Sequence, residues 1–345
     1  MSSFMEKEIK EQPQILEGLF STLTNENNIL IDIPDKIDKV IFIASGSSYH
    51  CAKAASEMFS SLAEIDCFCE YSSEFPMKKV LTSKRNLLYV FLSQSGETSD
   101  TIAAIEKVKA QGHYTLTITN RKNSKLWNLS DYNIYCDAGV ENSIASTKAL
   151  SAQLLCTYLL MLKIMQKQGK NVKEHLDAIK NIPNVIQNII KKDAKIKQAS
   201  KLLAKFTNVV LLGSQIFYPI AKEASLKIKE TSFINANAYP FGEFMHGHVA
   251  VLNNPSLVIA IVDSDNLSLQ SKFLEKIKKD YSPKMITLNM DNLLNLSDIS
   301  FEIKEQKRIT QVFCALVISQ LLALNCAKML GRDIDKPHGL SKVVS

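Results

Sequence analysis

Apolar runs alternate with helical periodicities along this chain. Residues 87–92 form a nearly continuous apolar run, which is typical of a strand buried in a parallel sheet. After this run, Ile102, Ile105 and Val108 recur at helical spacing. The same order of strand and helix recurs further along, and such alternation predicts a parallel sheet with helices on both faces. Ligands in sheets of this kind bind beyond the carboxyl ends of the strands.

The pattern occurs twice, at a constant offset of 169 residues. Residues 39–43 fall on 208–212, and residues 88–92 fall on 257–261, without a gap. Because two unrelated strand–helix units would not keep a fixed offset over about seventy residues, the match indicates an internal duplication. The predicted divisions are a helical segment over 1–29, one α/β subdomain over 30–170, a similar one over 195–335, and a tail over 336–345.

The sequence Ser-Gln-Ser-Gly-Glu-Thr, residues 93–98, stands where an apolar run ends and a helical pattern begins. Free backbone N–H groups at a helix start favour an anion, and hydroxyl side chains add donors without charge. The turn is therefore predicted to bind phosphate; the alternative is an ordinary helix cap, which also favours serine and threonine. Residues 45–48, Ser-Gly-Ser-Ser, are expected at the same edge of the sheet. The second half has Val-Asp-Ser-Asp at 262–265, so the halves are expected to share a fold and not a function.

Composition narrows the class of protein. The 345 residues are 46% apolar and 22% charged, as in ordinary globular proteins, and the formal charge of +6 suits a phosphorylated ligand. The lysines are dispersed, so no nucleic-acid surface is predicted. The longest apolar stretches, 149–165 and 312–330, are interrupted by polar residues and predict buried helices rather than membrane spans. No signal-peptide pattern opens the chain, and seven cysteines without C-x-x-C spacing predict free thiols and a cytoplasmic location.

Three segments carry candidate chemistry. Residues 219–231 predict a helix with Lys227 and Glu230 on one face, and taken alone this spacing favours an exposed ion pair of little energetic value. Residues 235–248 are loop-like and contain His246 and His248, which suit acid–base work near neutral pH. The alternative is a hydrogen-bonded loop pair; since no third ligand suggests itself, no metal site is predicted. The polar end of the chain is either a frayed tail or a segment that brings Lys342 to a carbonyl substrate as a Schiff base.

On these motifs the chain resembles the sugar isomerase (SIS) domains over nearly its whole length. Among them it is similar to the isomerase half of the glutamine:fructose-6-phosphate amidotransferases. The residues that carry this resemblance occur in the same order in the chain, at 7–13, 45–50, 93–98, 145–149, 226–230 and 333–337. The resemblance implies two similar SIS subdomains, each a three-layer α/β/α unit with a central parallel sheet.

The resemblance also implies roles for individual residues. Four residues would hold the phosphate of a sugar phosphate: Ser93, Gln94, Ser95 and Thr98. Two more would lie near the sugar: Ser48 and Ser146. Four further residues would act on the sugar. Glu230 would move a proton between C1 and C2, His246 would assist ring opening from a neighbouring subunit, Lys227 would support proton transfer at C1, and Lys342 would meet the open-chain carbonyl as the tail closes the site. No cofactor is implied, and a homodimer or a dimer of dimers is expected.

The expected reaction depends on what the sequence contains. It holds no glutamine-hydrolysing domain, so the resemblance implies that glucosamine 6-phosphate and water give fructose 6-phosphate and ammonia. Three alternatives stay open: a deglycase of a fructosamine 6-phosphate conjugate, an ammonia-dependent isomerase of the glucosamine-6-phosphate synthase type, and a non-catalytic sugar-phosphate sensor. The chain departs from the family pattern at residues 235–239, at Met245 and at Gly247-His248, which leaves the sugar open.

Overall fold

The computed structural model describes residues 2–79, 86–289, 293, 295–305 and 307–342. The helices are α1 Phe4–Leu23, α2 Gly46–Met58, α3 Ser99–Lys109, α4 Lys125–Leu129, α5 Lys148–Lys167, α6 Lys173–Lys191, α7 Asp193–Leu203, α8 Phe217–Ser232, α9 Phe241–Phe244, α10 Leu267–Tyr281 and α11 Arg308–Met329. The strands are β1 Thr24–Asn25, β2 Asn28–Ile29, β3 Lys39–Ala44, β4 Asp66–Tyr71, β5 Leu87–Ser93, β6 Tyr114–Thr119, β7 Tyr132–Tyr135, β8 Asn208–Gly213, β9 Asn235–Pro240, β10 Leu257–Ile261, β11 Lys284–Asn289 and β12 Ile299–Glu302.

Ten of these strands form two five-stranded sheets, in the orders β4-β3-β5-β6-β7 and β12-β11-β10-β8-β9. All neighbouring strands within both sheets pair in parallel. Helices flank both sheets, so the predicted fold class, two parallel α/β subdomains, is confirmed. The strand predicted over 87–92 is β5, and the helix predicted after it is α3.

The duplication extends to strand register. Lys39 pairs with Asp66 in the first sheet, and Asn208 pairs with Asn235 in the second. Each residue of the second pair lies 169 positions after its counterpart in the first, which is the offset found in the sequence. The strands β3 and β8 are therefore equivalent, and so are the edge strands β4 and β9.

The stretch over 235–248 is not the loop that the sequence analysis predicted. Its first part is β9, which pairs in parallel with β8, and its second part contains the short helix α9. The polar residues Asn235 and Asn237 alternate with Ala236, which is completely buried. An edge strand tolerates such polar positions because one side of it is not paired, and this hides the apolar run by which the other strands were found.

The described residues divide into two compact units. The N-terminal unit contains residues 11–142, 146–183 and 341–342, and the C-terminal unit contains 2–10, 143–145 and 184–340. In the N-terminal unit the sheet packs on α3 through Ile41, Ile43, Tyr89, Phe91, Ile105 and Val108. In the C-terminal unit the sheet packs on α10 through the residues 169 positions later, Val210, Leu212, Val258, Ala260, Leu274 and Ile277.

Helices α5 and α11 are the two longest apolar segments. Each is long and apolar enough to cross a membrane, but 89% and 94% of their most apolar windows are buried inside the protein. The prediction of buried helices over 149–165 and 312–330 is therefore confirmed. All seven cysteines are free, and five of them are buried.

The segment before Lys342 is partly ordered by the start of α1. The carboxylate of Asp335 accepts hydrogen bonds from the backbone N–H groups of Phe4, at 2.8 Å, and Met5, at 3.0 Å. These N–H groups would otherwise lack partners, because they belong to the first turn of a helix. The polar end of the chain is therefore not frayed at Asp335, the residue just before the 336–345 tail.

Glu6 on the same turn gives a pH-dependent contribution to stability. Hydrogen bonds from Lys10, at 2.7 Å, and from Lys328 lower the pKa of Glu6 from 4.5 to about 2. Because the folded-state pKa is depressed, the contribution is present above about pH 4.5 and is lost as the pH falls toward 2. We expect Glu6→Gln to lower the free energy of unfolding by about 1 kcal/mol at pH 7, since the group is partly exposed to solvent. Urea unfolding at pH 7, 4 and 3 should show this difference shrinking, whereas Glu17→Gln on the exposed face of α1 should cause none; a difference independent of pH would contradict the assignment.

Candidate functional site

The turn after β5 presents a cluster of hydroxyl groups. Ser93 ends the strand and is 4% exposed, and its Oγ lies 3.0 Å from Oγ1 of Thr98. The same Oγ accepts a hydrogen bond from the backbone N–H of Gly96 at 3.1 Å. The Oγ of Ser95 accepts one from the N–H of Glu97 at 3.2 Å. The predicted phosphate turn is thus a compact loop whose hydroxyls hold its own backbone in place.

The loop after β6 supports this turn from behind. Gly96 has a φ of +67°, and a Cβ atom built on it would lie 2.1 Å from Oγ of Ser124. The carbonyl of Gly96 accepts the N–H of Leu126 at 3.1 Å, and the carbonyl of Gln94 accepts the N–H of Asn120 at 3.1 Å. Only glycine fits both the backbone conformation and the space at this position.

Thr98 bears on the alternative of an ordinary helix cap. It occupies the N-cap position of α3, but its side chain accepts no capping hydrogen bond from any residue that the structure describes. Its hydroxyl contacts Ser93 instead. An ordinary threonine cap would accept an N–H of the first helical turn. The Thr98 side chain therefore does not occupy the first-turn N–H groups of α3, which are the groups that bind an anion at a helix start.

Ser48 and Ser146 lie in the same unit as this turn. Ser48 is in the first turn of α2, and its hydroxyl donates to Oε1 of Gln153 on α5 at 2.9 Å. Ser146 stands just before α5 and donates its hydroxyl to Oε2 of Glu141 at 3.0 Å. Both serines therefore sit at helix starts, where their hydroxyls are fixed by buried acceptors on the N-terminal unit.

Glu141 is a functional candidate that the sequence analysis missed. Its side chain is completely buried and accepts the N–H groups of Thr147 and Ala149 as well as the hydroxyl of Ser146. The ammonium of Lys342 lies 2.6 Å from its Oε2. The signal that could have found it is an acidic residue in a serine-rich segment just before the apolar helix α5.

Lys227 and Glu230 form the centre of a buried charge cluster on α8. Nζ of Lys227 lies 2.5 Å from Oε2 of Glu230 and 3.4 Å from Oε1 of Glu223. The side chains of Lys227 and Glu223 are each 1% exposed, and that of Glu230 is 20% exposed. The interpretation as an exposed surface ion pair is therefore wrong. Glu223 was not predicted, although it stands four residues before Lys227 and so faces the same way.

The two histidines of the 235–248 stretch are exposed. His246 follows α9, and its backbone N–H donates to the carbonyl of Glu243 at 3.0 Å. The ring of His248 packs against the ring of Tyr239, with 4.5 Å between the centroids. Among the described residues, no group of three or more histidine, cysteine, aspartate or glutamate side chains is placed to hold a metal ion.

The equivalent turn of the second sheet carries an internal carboxylate instead of hydroxyls. Asp263 is completely buried, accepts the N–H of Asp265 at 3.2 Å and pairs with the guanidinium of Arg308. It also accepts from Nδ2 of Asn266 at 3.0 Å. The carboxylate of Asp263 thus occupies the donors of this turn, which differs in this respect from the hydroxyl turn of the first sheet.

The predicted site residues divide between the two units. The N-terminal unit holds Ser48, Ser93, Gln94, Ser95, Thr98, Ser146 and Lys342. The C-terminal unit holds Lys227, Glu230 and His246. Within the first set, Ser93 contacts Thr98, and Ser146 shares Glu141 with Lys342. Within the second, Lys227 contacts Glu230.

This fold and these motifs define a class of protein. The family model described as SIS domain matches residues 35–163 and 202–329. The chain therefore belongs to the SIS domain family. It is homologous over its whole length to the isomerase half of glutamine–fructose-6-phosphate aminotransferase, as the resemblance of the motifs implied.

Particular relatives support this assignment. The glutamine–fructose-6-phosphate aminotransferase of Campylobacter jejuni is 33% identical over 357 residues, which cover 99% of this chain and 58% of the relative. That of Haemophilus influenzae is 33% identical over 365 residues with the same coverage. The chain thus spans rather more than half the length of these relatives. The solved C-terminal domain of glucosamine-fructose-6-phosphate aminotransferase from Francisella tularensis matches with a TM-score of 0.92 at 29% identity, covering 98% of this chain and 99% of that one. A glucosamine-6-phosphate deaminase from Thermotoga maritima shares the fold, with a TM-score of 0.78, 22% identity and 99% of each chain covered.

Proposed function

We propose that this protein is a phosphosugar isomerase that converts glucosamine 6-phosphate and water into fructose 6-phosphate and ammonia. The observation that carries the proposal is the cluster on α8, where Glu230 remains 20% exposed while its partner Lys227 is buried. A carboxylate held by a buried ammonium, with one side open to solvent, is suited to take up a proton from a ligand and return it. A protein that only senses a sugar phosphate does not need such a group.

The proposed reaction uses one proton shuttle. After ring opening assisted by His246, Glu230 takes the proton from C2 of the open-chain amino sugar and returns it at C1. The electrons of the C2–H bond pass through a C1–C2 double bond into the new C1–H bond, and the nitrogen lone pair forms a carbon–nitrogen double bond at C2. The C1 oxygen takes up a proton as nitrogen gives one up, so the aldehyde at C1 becomes an alcohol. Water adds to C2, ammonia leaves, and the C2 ketone of fructose 6-phosphate remains. Lys227 supports proton transfer at the C1 oxygen, and the ammonium of Lys342 meets the carbonyl oxygen of the open chain.

Phosphate binding is proposed for the hydroxyl turn after β5. Replacing Ser95 with alanine and Thr98 with valine should mainly weaken substrate binding, because each lost hydroxyl removes a donor to a charged group, at about 1.5–3 kcal/mol. Isothermal titration with fructose 6-phosphate measures the effect, which should exceed tenfold in Kd. A matched control is Ser61→Ala, which removes a hydroxyl that donates to the backbone carbonyls of Glu57 and Met58 in its own helical segment. An unchanged affinity in the double variant would show that phosphate binds elsewhere.

Turnover of two candidate substrates, measured side by side, identifies the one that the protein uses. A coupled assay should detect fructose 6-phosphate and ammonia from glucosamine 6-phosphate, and little product from fructoselysine 6-phosphate. The opposite preference would identify a deglycase of fructosamine 6-phosphates. Production of glucosamine 6-phosphate from fructose 6-phosphate and ammonium, with no measurable deamination, would identify an ammonia-dependent isomerase. Binding of all these sugars without any turnover would identify a sensor.

The assembly and location belong to the same proposal. His246 is exposed on the single chain, which suits a group that completes the pocket of a neighbouring copy. We therefore propose a cytoplasmic homodimer or dimer of dimers. A stable and fully active monomer in light scattering would contradict the shared pocket.

A further inference from the structure

We propose that Glu141 is a positioning residue, which holds the ammonium of Lys342 where it meets the sugar. The inference rests on the role proposed above for Lys342. Glu141 itself is not expected to contact the reacting atoms. It lies on the N-terminal unit together with Lys342 and Ser146.

The two oxygens of Glu141 have different partners. Oε1 accepts the backbone N–H groups of Thr147, at 2.8 Å, and Ala149, at 3.1 Å, at the start of α5. Oε2 accepts the hydroxyl of Ser146 at 3.0 Å and the ammonium of Lys342 at 2.6 Å. Because the first oxygen is bound to a helix that is buried over most of its length, the second oxygen is fixed in space. The ammonium of Lys342 therefore binds an acceptor whose position is fixed.

Lys342 needs such an anchor. Its side chain is 25% exposed, and its ammonium ends a long stem with several rotatable bonds. An unrestrained lysine samples many rotamers, and ordering it on the substrate would cost conformational entropy at each turnover. A completely buried carboxylate is also costly unless its partners compensate the charge, so the pair is mutually dependent. The contact therefore connects the order of the tail to the start of α5.

A second buried glutamate provides a matched control. Glu8 is 3% exposed, and its carboxylate accepts the hydroxyl of Ser143 at 2.6 Å and the N–H of Ser143 at 3.3 Å. It resembles Glu141 in burial and in its serine partner. No role at the sugar is proposed for Ser143. If these carboxylates are only structural, Glu8→Gln and Glu141→Gln should lower turnover alike. If Glu141 positions Lys342, only Glu141→Gln should lower it.

The test compares turnover of glucosamine 6-phosphate by the full chain in four variants. Glu141→Gln should lower kcat about 10- to 100-fold while KM changes less than about threefold, since misplacing one group by about 1 Å costs this much. Glu8→Gln should keep the wild-type kcat. In a chain that already carries Lys342→Ala, adding Glu141→Gln should lower kcat by less than about twofold, because residues that act as a unit are not additive.

The outcomes separate this inference from the proposed function. Normal turnover in Lys342→Ala would overturn the role of Lys342 and with it the positioning of that residue. Lost turnover in Lys342→Ala with normal turnover in Glu141→Gln would overturn only the positioning. A full additional loss in the double variant would show that Glu141 acts independently of Lys342 and would also overturn it.

A second measurement does not depend on activity. Acetic anhydride should label Lys342 at least about threefold faster in Glu141→Gln than in the wild type, as read by mass spectrometry of the peptide. If Glu141→Gln does not fold, Glu141→Asp keeps the charge but shortens the reach by one methylene, and the same faster labelling is expected. Unchanged labelling of Lys342 in the folded variant would overturn the inference.

Discussion

Glu230→Gln should abolish most of the turnover of glucosamine 6-phosphate while the protein stays folded. The amide keeps the volume of the side chain but cannot take a proton from C2 and return it at C1, and a general base contributes about 10²–10⁴-fold to the rate. The fold should persist because Lys227 retains Glu223, 3.4 Å from its ammonium. The measurement is kcat at saturating substrate, with affinity for fructose 6-phosphate determined in parallel.

The control for this variant is another helical ion pair. On α2, Oε1 of Glu57 lies 2.7 Å from Nζ of Lys53, which stands four residues earlier. The side chain of Glu57 is 34% exposed. Glu57→Gln makes the same chemical change and should leave kcat within about twofold of the wild type. Near-normal turnover in Glu230→Gln would show that another group moves the proton, and His246 is the next candidate.

Gly96→Ala should disrupt the hydroxyl turn and weaken binding of the sugar phosphate more than tenfold. The new methyl group would lie 2.1 Å from Oγ of Ser124 and 2.5 Å from its Cβ, so the turn or its support must move. Overpacking of this kind costs about 1–3 kcal/mol, and an L-residue in the left-handed region adds about 1–2 kcal/mol. Titration with fructose 6-phosphate and urea unfolding measure the two effects.

Gly112 separates the steric effect from the backbone effect. Its φ is +71°, close to the +67° of Gly96, but no atom lies within 4 Å of an added Cβ. Gly112→Ala should therefore lose only the backbone part of the stability and none of the affinity. Equal losses of affinity in both variants would contradict the assignment of the 93–98 turn as the phosphate site.

The strands that are buried on both faces could be predicted from apolar runs in the sequence, and the edge strand β9 could not. The run over 87–92 is apolar throughout because β5 lies inside a sheet that is covered on both faces. Strand β9 alternates asparagine with alanine at the edge of its sheet, so no apolar run marks it. The offset of 169 residues would have found it, because β4 at Asp66–Tyr71 falls on Asn235–Pro240.

The hydroxyl turn and the ion pair on α8 could be proposed from spacing because their members are close in sequence. Glu141 and Lys342 are 201 positions apart, and no local pattern relates them. The burial of Lys227 could not be predicted from the sequence either. Its spacing from Glu230 is that of many surface ion pairs, and only the structure shows that the lysine side chain is 1% exposed.

Deuterium exchange into fructose 6-phosphate tests the central claim, that this chain moves a proton between C1 and C2 of a sugar phosphate. The wild-type protein, incubated with fructose 6-phosphate and an ammonium salt in heavy water, should exchange one C1 hydrogen for deuterium, seen as loss of one C1 proton signal in the NMR spectrum. Glu230→Gln should show no exchange, and Glu57→Gln should exchange at the wild-type rate. Binding of fructose 6-phosphate by the wild type without any exchange would contradict an isomerase and identify a protein that only binds the sugar.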